Sequence, residues 1–190
     1  MSNRSAVGSL MGFGLGLSLA VSLIAGPAAG GQGTTPSPLE RGKYLVGITG
    51  CHDCHSPKVS GMTPDLTRAL SGRPSTTAVP APTKVEVHAS LDFTAFAGPW
   101  GQTVASNLTP DAATGIGTRY TEASFITAMR TGKKPNGTQI QPPMPNEVYQ
   151  NMTDDDLKAI WAYLRSLKPI RNAVLAGAPP PAPTGVKLVP

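Results

Sequence analysis

The chain has 190 residues, enough for one domain with extended ends. Gly (21) and Pro (20) are plentiful and aromatic residues scarce at 5%, which excludes a continuous helical fold and points to a small core crossed by long loops. A formal charge of +5, with no basic block, argues against nucleic acid as a partner and reads as a solubility and docking property.

Residues 1–30 have the character of an export signal. Arg4 is the only charge before Glu40, the stretch Val7–Ala25 is apolar and Gly-rich, and Gly26-Pro27-Ala28-Ala29-Gly30 offers small residues for cleavage. The alternative is a retained membrane anchor, since such a run nearly spans a bilayer. Its richness in Gly and Ser rather than Leu favours cleavage. Loss of this segment removes Arg4 alone and leaves 15 Lys+Arg against 11 Asp+Glu, a charge of +4.

A first helix is expected to start at Ser37. Ser37 suits the N-cap, Pro38 the first helical position, and Glu40 completes a capping box. The helix runs through Tyr44-Leu45-Val46 and should stop near Gly47–Gly50, just before Cys51-His52-Asp53-Cys54-His55. From 56 to 118, Pro57, Pro64, Pro74, Pro80, Pro82, Pro99 and Pro110 deny the chain long helices. Thr67–Leu70 suits a short turn, and Lys84–His88 alternates enough to pair with Leu91–Ala97 as a hairpin. Loops this long in a compact domain are usually functional or wrapped around something.

Two further helices follow. Thr121 caps a segment ending at Arg130, with Phe125, Ala128 and Met129 on one face and Gly132 as the stop. Thr153 caps the last, with Asp156 at its third position and a staple between Met152 and Leu157. Leu157, Ile160, Trp161, Leu164 and Leu167 form an apolar stripe at helical spacing. Asp154–Asp156 suit the positive end of that helix, and Arg165 and Lys168 the negative end. Residues 173–190 read as a Pro-rich tail.

Both cysteines of the chain lie in the C-x-x-C-H pentapeptide, the attachment sequence of c-type haem. Two thiols three residues apart can reach the two vinyl groups of one porphyrin, and the adjacent histidine meets the proximal side of the iron. Competing readings are weaker. A structural zinc site needs two more ligands, and only His52, His55 and His88 are available as histidines. A thioredoxin-like pair needs a βαβ setting, and a disulfide at this spacing closes too small a loop to stabilise much.

A thioether is the usual sixth ligand of electron-carrying haem iron, because it favours Fe(II). Met62 lies only seven residues past His55, Met129 sits on a core stripe, and Met152 serves the staple. That singles out Met144, stiffened on both sides in Gln141-Pro142-Pro143-Met144-Pro145. His88 and an open position remain alternatives. The site so read is one covalent haem c on Cys51, Cys54, His55 and Met144, with His55 and Met144 on the iron. The two propionates of such a haem bring the net charge closer to neutral.

Residues 37–172 resemble class I c-type cytochromes, in particular the single-haem carriers and subunits associated with periplasmic dehydrogenases. The matching stretches are Glu40-Arg41-Gly42-Lys43-Tyr44-Leu45, the haem motif, Leu70-Ser71-Gly72-Arg73-Pro74 and Gly98-Pro99-Trp100-Gly101. They continue through Asn107-Leu108-Thr109-Pro110-Asp111, Thr114-Gly115-Ile116-Gly117, Pro142-Pro143-Met144-Pro145 and Asp155–Leu164. The resemblance implies an all-α fold, cytochrome c-like helices wrapped around one haem, with long Pro/Gly-rich loops and at most a short hairpin in 84–97. It also implies crossing terminal helices, with Gly42 and Tyr44 meeting Trp161 or Leu164. Pro64-Asp65-Leu66 resembles the family's Pro-Asn-Leu-like step, whose Pro carbonyl, here that of Pro64, would accept the ring N–H of His55, and Asn107 and Trp100 would lie near the haem edge or propionates. Two departures stand out. Arg119-Tyr120 replaces a tryptophan common in related sequences, and Met144 lies 89 residues beyond His55, farther than in the smallest members.

The implied function is electron transfer, as a periplasmic or secreted carrier or as the cytochrome subunit of a dehydrogenase. The chain would not itself be an enzyme, and it would meet a membrane only if the N-terminal segment is kept. Its partners would be redox proteins, a donor dehydrogenase and a downstream acceptor, with Lys133 and Lys134 as possible docking charges. A small haem enzyme or sensor with an open or bis-His iron is the alternative. It would need distal acid–base groups, for which only His88 is an obvious imidazole.

Overall fold

Ser37 caps the first helix as its residues dictate. Its hydroxyl accepts from Glu40 N (3.3 Å), and the Glu40 carboxylate accepts from Ser37 N (2.9 Å), so helix α1 spans Pro38–Ile48 with its capping box closed. The structure, a computed structural model, describes residues 35–174. The expected export signal or anchor at 1–30 and nearly all of the expected Pro-rich tail at 173–190 lie outside the described residues.

After α1 come a one-turn helix α2 (Cys51–His55), a two-stranded antiparallel ladder of β1 (Lys58–Ser60) and β2 (Thr63–Pro64), and a 3-10 turn at Leu66–Arg68. A three-stranded antiparallel sheet follows, β3 (His88–Ala89), β4 (Ala95–Gly98) and β5 (Gly101–Val104), in spatial order β3-β4-β5. Helices α3 (Glu122–Thr131), α4 (Asn146–Tyr149) and α5 (Asp154–Ser166) complete the described chain. Thr121 and Thr153 cap α3 and α5, and Gly132 ends α3 in the left-handed conformation.

The expectation of an all-α chain is corrected by these two sheets. Proline removes the helical option between 57 and 110, and short antiparallel pairs satisfy backbone groups that helices cannot. The hairpin expected at 84–97 is present in altered form. Its first strand shrinks to His88–Ala89, paired with Ala97 and Phe96, and a third strand turns back at Pro99–Trp100.

Leu45 and Val46 of α1 share a buried cluster with Ala159, Ile160, Trp161 and Leu164 of α5, with Phe125 of α3, and with Leu70 and Ile116 from the loops. The terminal helices cross at Gly42. A Cβ there would stand 1.9 Å from Ala159 O and 2.9 Å from Tyr163 Cβ, so only glycine permits this approach. Arg41 locks the crossing with an ion pair to Asp156 (2.9 Å). The partners differ from those the resemblance implies: Gly42 meets Ala159 and Tyr163, Trp161 packs on Phe125 (centroids 5.5 Å apart), and Tyr44 is exposed beneath the Arg41 guanidinium.

Gly42→Ala should therefore destabilise the domain toward the upper end of the ~1–3 kcal/mol typical of overpacking. Gly47→Ala, where an added Cβ meets nothing within 4 Å, should stabilise it by about 0.5–1 kcal/mol through helix propensity. Urea unfolding of the two variants checks both signs.

Candidate functional site

Residues i, i+3 and i+4 of a helix share a face, and α2 is one turn carrying Cys51, Cys54 and His55 at those positions. Neither thiol is in a disulfide. Burial pushes both thiols up from their ordinary range, opposite to the lowered value of a reactive redox cysteine. Among the described residues no group of three or more His, Cys, Asp or Glu side chains assembles into a metal cage.

His55 is fixed by a bond the sequence did not suggest. Its Nδ1 lies 2.8 Å from the carbonyl oxygen of Ser106, and a carbonyl can only accept, so the proton sits on Nδ1 and the Nε2 lone pair is left for a metal. Burial lowers the imidazole pKa and outweighs the Ser106 bond, which keeps the ring neutral, as ligation requires. The expected partner, Pro64, lies instead in β2, paired with Lys58. The signal was present elsewhere: Ser106-Asn107-Leu108 carries the Asn-Leu step literally, whereas Pro64-Asp65-Leu66 only approximates it.

Ser106 is held in place by stitching between 70–73 and 105–108. Gly72 N donates to His55 O (2.8 Å), Arg73 N to Ala105 O (3.0 Å) and Leu108 N to Leu70 O (2.8 Å). Gly72 has φ +80°, and a Cβ there would stand 2.6 Å from Ala105 O, so this contact too demands glycine. The buried Ser56 hydroxyl accepts from Leu70 N (2.9 Å) and joins the stitch to the end of α2. At the carbonyl end of α2, Lys58 Nζ donates to Asp53 O (2.8 Å), Ser56 O (2.6 Å) and His52 O (3.3 Å), so a cation caps the turn.

Met144 is half-buried in an otherwise mostly exposed loop that is tied down on both sides. Before it, Ile140 N donates to Gly132 O (2.7 Å), and Lys133 pairs with Gln139. After it, the Asn146 amide, oriented to donate to Ala128 O (3.3 Å) and accept from Gly132 N (3.2 Å), closes on the end of α3. Tyr149 then reaches back toward the C-x-x-C-H turn, its hydroxyl donating to Thr49 O (2.6 Å) two residues before Cys51. Burial, with a smaller contribution from the two nearby thiols, pushes that phenol up to about 12.

The other candidates are occupied elsewhere. Met129 and Met152 pack against the hydrophobic cluster, and Met62 is exposed between β1 and β2. His88, on β3, is exposed and bonded to Glu86 (2.8 Å). Asn107 spends its whole amide inside the protein: Nδ2 donates to Thr114 Oγ1 (3.1 Å) and Ile170 O (2.7 Å), and Oδ1 accepts from Thr109 N and Oγ1. Trp100 covers Gly98, and its indole N–H donates to Thr103 Oγ1 (3.0 Å). Two thiols and a neutral, oriented imidazole on one face form a donor set that fits a c-type haem.

No family model matches the chain. It is 30% identical over 158 residues to the fructose dehydrogenase cytochrome subunit of Gluconobacter japonicus, covering 79% of this chain and 27% of that protein. It is 26% identical over 160 residues to the cytochrome c subunit of the quinone alcohol dehydrogenase of Gluconobacter oxydans, covering 84% and 28%. A third relative, the gluconate 2-dehydrogenase cytochrome c subunit of Pantoea cypripedii, is 31% identical over 136 residues, covering 71% and 24%. Most of this chain is thus similar to parts of cytochrome subunits of dehydrogenases, and it spans about a quarter of the length of each.

Proposed function

We propose that residues 37–172 form a cytochrome c domain binding one haem c through thioethers from Cys51 and Cys54, with His55 and Met144 on the iron. The domain passes single electrons as a carrier or as the cytochrome subunit of a dehydrogenase. The observation that carries this reading is α2 itself, which presents both thiols on one face with an imidazole whose Nδ1 proton is committed to Ser106. The similarity to dehydrogenase cytochrome subunits supports the same conclusion.

A covalent haem supplies a one-electron Fe(III)/Fe(II) couple reachable through its edge. The chain's own work is to hold it still. Ser106 orients His55, Lys58 caps the turn, and Tyr149 ties the Met144 loop to Thr49. With His55 and Met144 both engaged no coordination position is left for peroxide or oxygen, which favours a carrier over a catalyst. The redox partners are a donor dehydrogenase and a downstream acceptor. Residues 1–30 act as an export signal or retained anchor, which places the domain in the periplasm or outside the cell. No helix among the described residues is long and apolar enough to cross a membrane.

Export with a haem-maturation system should yield a protein whose haem survives acid–acetone extraction and whose oxidised spectrum shows the weak long-wavelength band of Met sulfur on ferric iron. Covalent haem without that band would favour a bis-His or open iron, and with it a haem enzyme or sensor. Met144→Ala should abolish the band and lower the potential, whereas Met62→Ala and Met152→Ala should retain both; unchanged ligation in Met144→Ala would remove that assignment. Cys51→Ala with Cys54→Ala should leave any bound haem extractable. Tyr149→Phe should destabilise the domain by about 1 kcal/mol, the usual worth of a hydrogen bond, and the band should disappear at lower temperature than in the wild type.

A further inference from the structure

A cavity of about 180 Å³ opens between the segment after α5 and the loop that follows the 3-10 turn. By the measure in which one water needs roughly 10–15 Å³, it has room for a small ion and water around it. Arg68, Ser71, Ser75 and Thr76 line it on the loop side, and Arg171 and Asn172 on the other. No carboxylate and none of the proposed haem ligands is among its walls.

The donors around this cavity are unspent. Arg68 gives its Nε to Asp65 (2.9 Å), and neither of its terminal nitrogens makes a hydrogen bond among the described residues. Arg171 is exposed and makes no hydrogen bond or ion pair there. The acid it acts on through space, Asp111, already accepts from Ala113 N and from Thr114 N and Oγ1. Ser71 is only 2% exposed, yet its hydroxyl makes no hydrogen bond. Among the described residues Arg73 Nε is the one fully covered side-chain nitrogen or oxygen without a partner, so the Ser71 hydroxyl still meets solvent, and it does so in the cavity it lines. A buried hydroxyl costs free energy until something bonds it, and two guanidiniums on the walls of one cavity repel until an anion lies between them. The guanidinium fork matches the oxygens of a carboxylate or a phosphate.

We infer that this cavity binds a small oxyanion, carboxylate or phosphate, between Arg68 and Arg171, with the Ser71 hydroxyl donating to it. The same chemistry serves a free ion or the acidic side chain of a protein partner. Once bound, the anion joins the segment after α5 to the 68–76 loop. That junction is already stitched by Asn172 Nδ2, which donates to Ser71 O (2.7 Å) and Arg73 O (2.9 Å), on either side of the Gly72 N–H that holds His55 O. The anion therefore stiffens the frame behind His55, and its binding does not depend on the haem reading.

The test titrates the exported, matured protein with sodium phosphate, at ionic strength held constant with sodium chloride, by calorimetry and by the NMR shifts of the Ser71 and Asn172 amides. Saturable binding is expected in the wild type. The dissociation constant should rise about tenfold or more in Arg68→Gln and in Arg171→Gln, each of which loses a charge-assisted pair. Arg171→Lys should fall between, and Lys168→Gln, outside the cavity, should bind as the wild type does. Shifts that never saturate, or an equal loss in Lys168→Gln and Arg171→Gln, would reduce the effect to diffuse screening and overturn the inference. A capped Gly-Glu-Gly peptide titrated in the same way separates the two sources. Tighter binding of the peptide, displaced by phosphate, assigns the cavity to a partner's acidic side chain, and tighter binding of phosphate assigns it to a free ion. A folded wild type that binds neither probe would overturn the inference whatever its haem content. Should Arg68→Gln fail to accumulate, Arg171→Gln and Arg171→Lys decide, because that side chain is exposed and bonds nothing within the described protein.

Discussion

A single backbone carbonyl, that of Ser106, decides what His55 can do. Because it accepts the Nδ1 proton, the opposite nitrogen is free to ligate, and the ring cannot rotate without losing that bond. Placing the carbonyl there requires the 105–108 segment to run beside 70–73, which requires glycine at 72 and brings Leu70 into the core. Much of the loop structure between α2 and α3 can be understood as what is needed to hold that one oxygen.

The helices provide the frame for this arrangement. α1 and α5 meet so closely at Gly42 that its backbone lies against the backbone carbonyl of Ala159, and the short α2 follows α1 after only two residues. Its position is therefore inherited from the crossing. α3 and α4 serve the loop that carries Met144, the proposed second iron ligand. The end of α3 anchors both sides of the Met144 loop, and Tyr149 of α4 connects that loop to Thr49. The Met144 loop and the segment before Cys51 meet through one phenol whose burial keeps it protonated well beyond neutral pH.

Charge is distributed with the same economy. Lys58 caps the carbonyls of α2, Asp92 braces the 73–77 turn, and Arg41 pairs with Asp156 across the helix crossing. Each of these charges is engaged within the protein. Arg73 differs from them: it is buried, its guanidinium turns to the carbonyls of Pro74 and Thr77, and its Nε lacks an acceptor.

What could be read directly was local. Ser37, Thr121 and Thr153 cap helices because a hydroxyl reaches an N–H three residues on, and Cys51, Cys54 and His55 share a face because helical geometry puts i, i+3 and i+4 together. Prolines correctly ruled out long helices between 57 and 110, but exclusion does not say what replaces them, and the three-stranded sheet was foreseen only as a hairpin. The contacts that finish the site are not local. Ser106 lies 51 residues from His55, and Thr49 lies 100 from Tyr149. Composition and spacing sufficed to propose haem chemistry for the C-x-x-C-H motif and to favour Met144 as a ligand. Only the tertiary structure chose Ser106 over Pro64 and left Arg73 without an anion, because a backbone carbonyl carries no side-chain signature and an unmet charge is defined by everything packed around it.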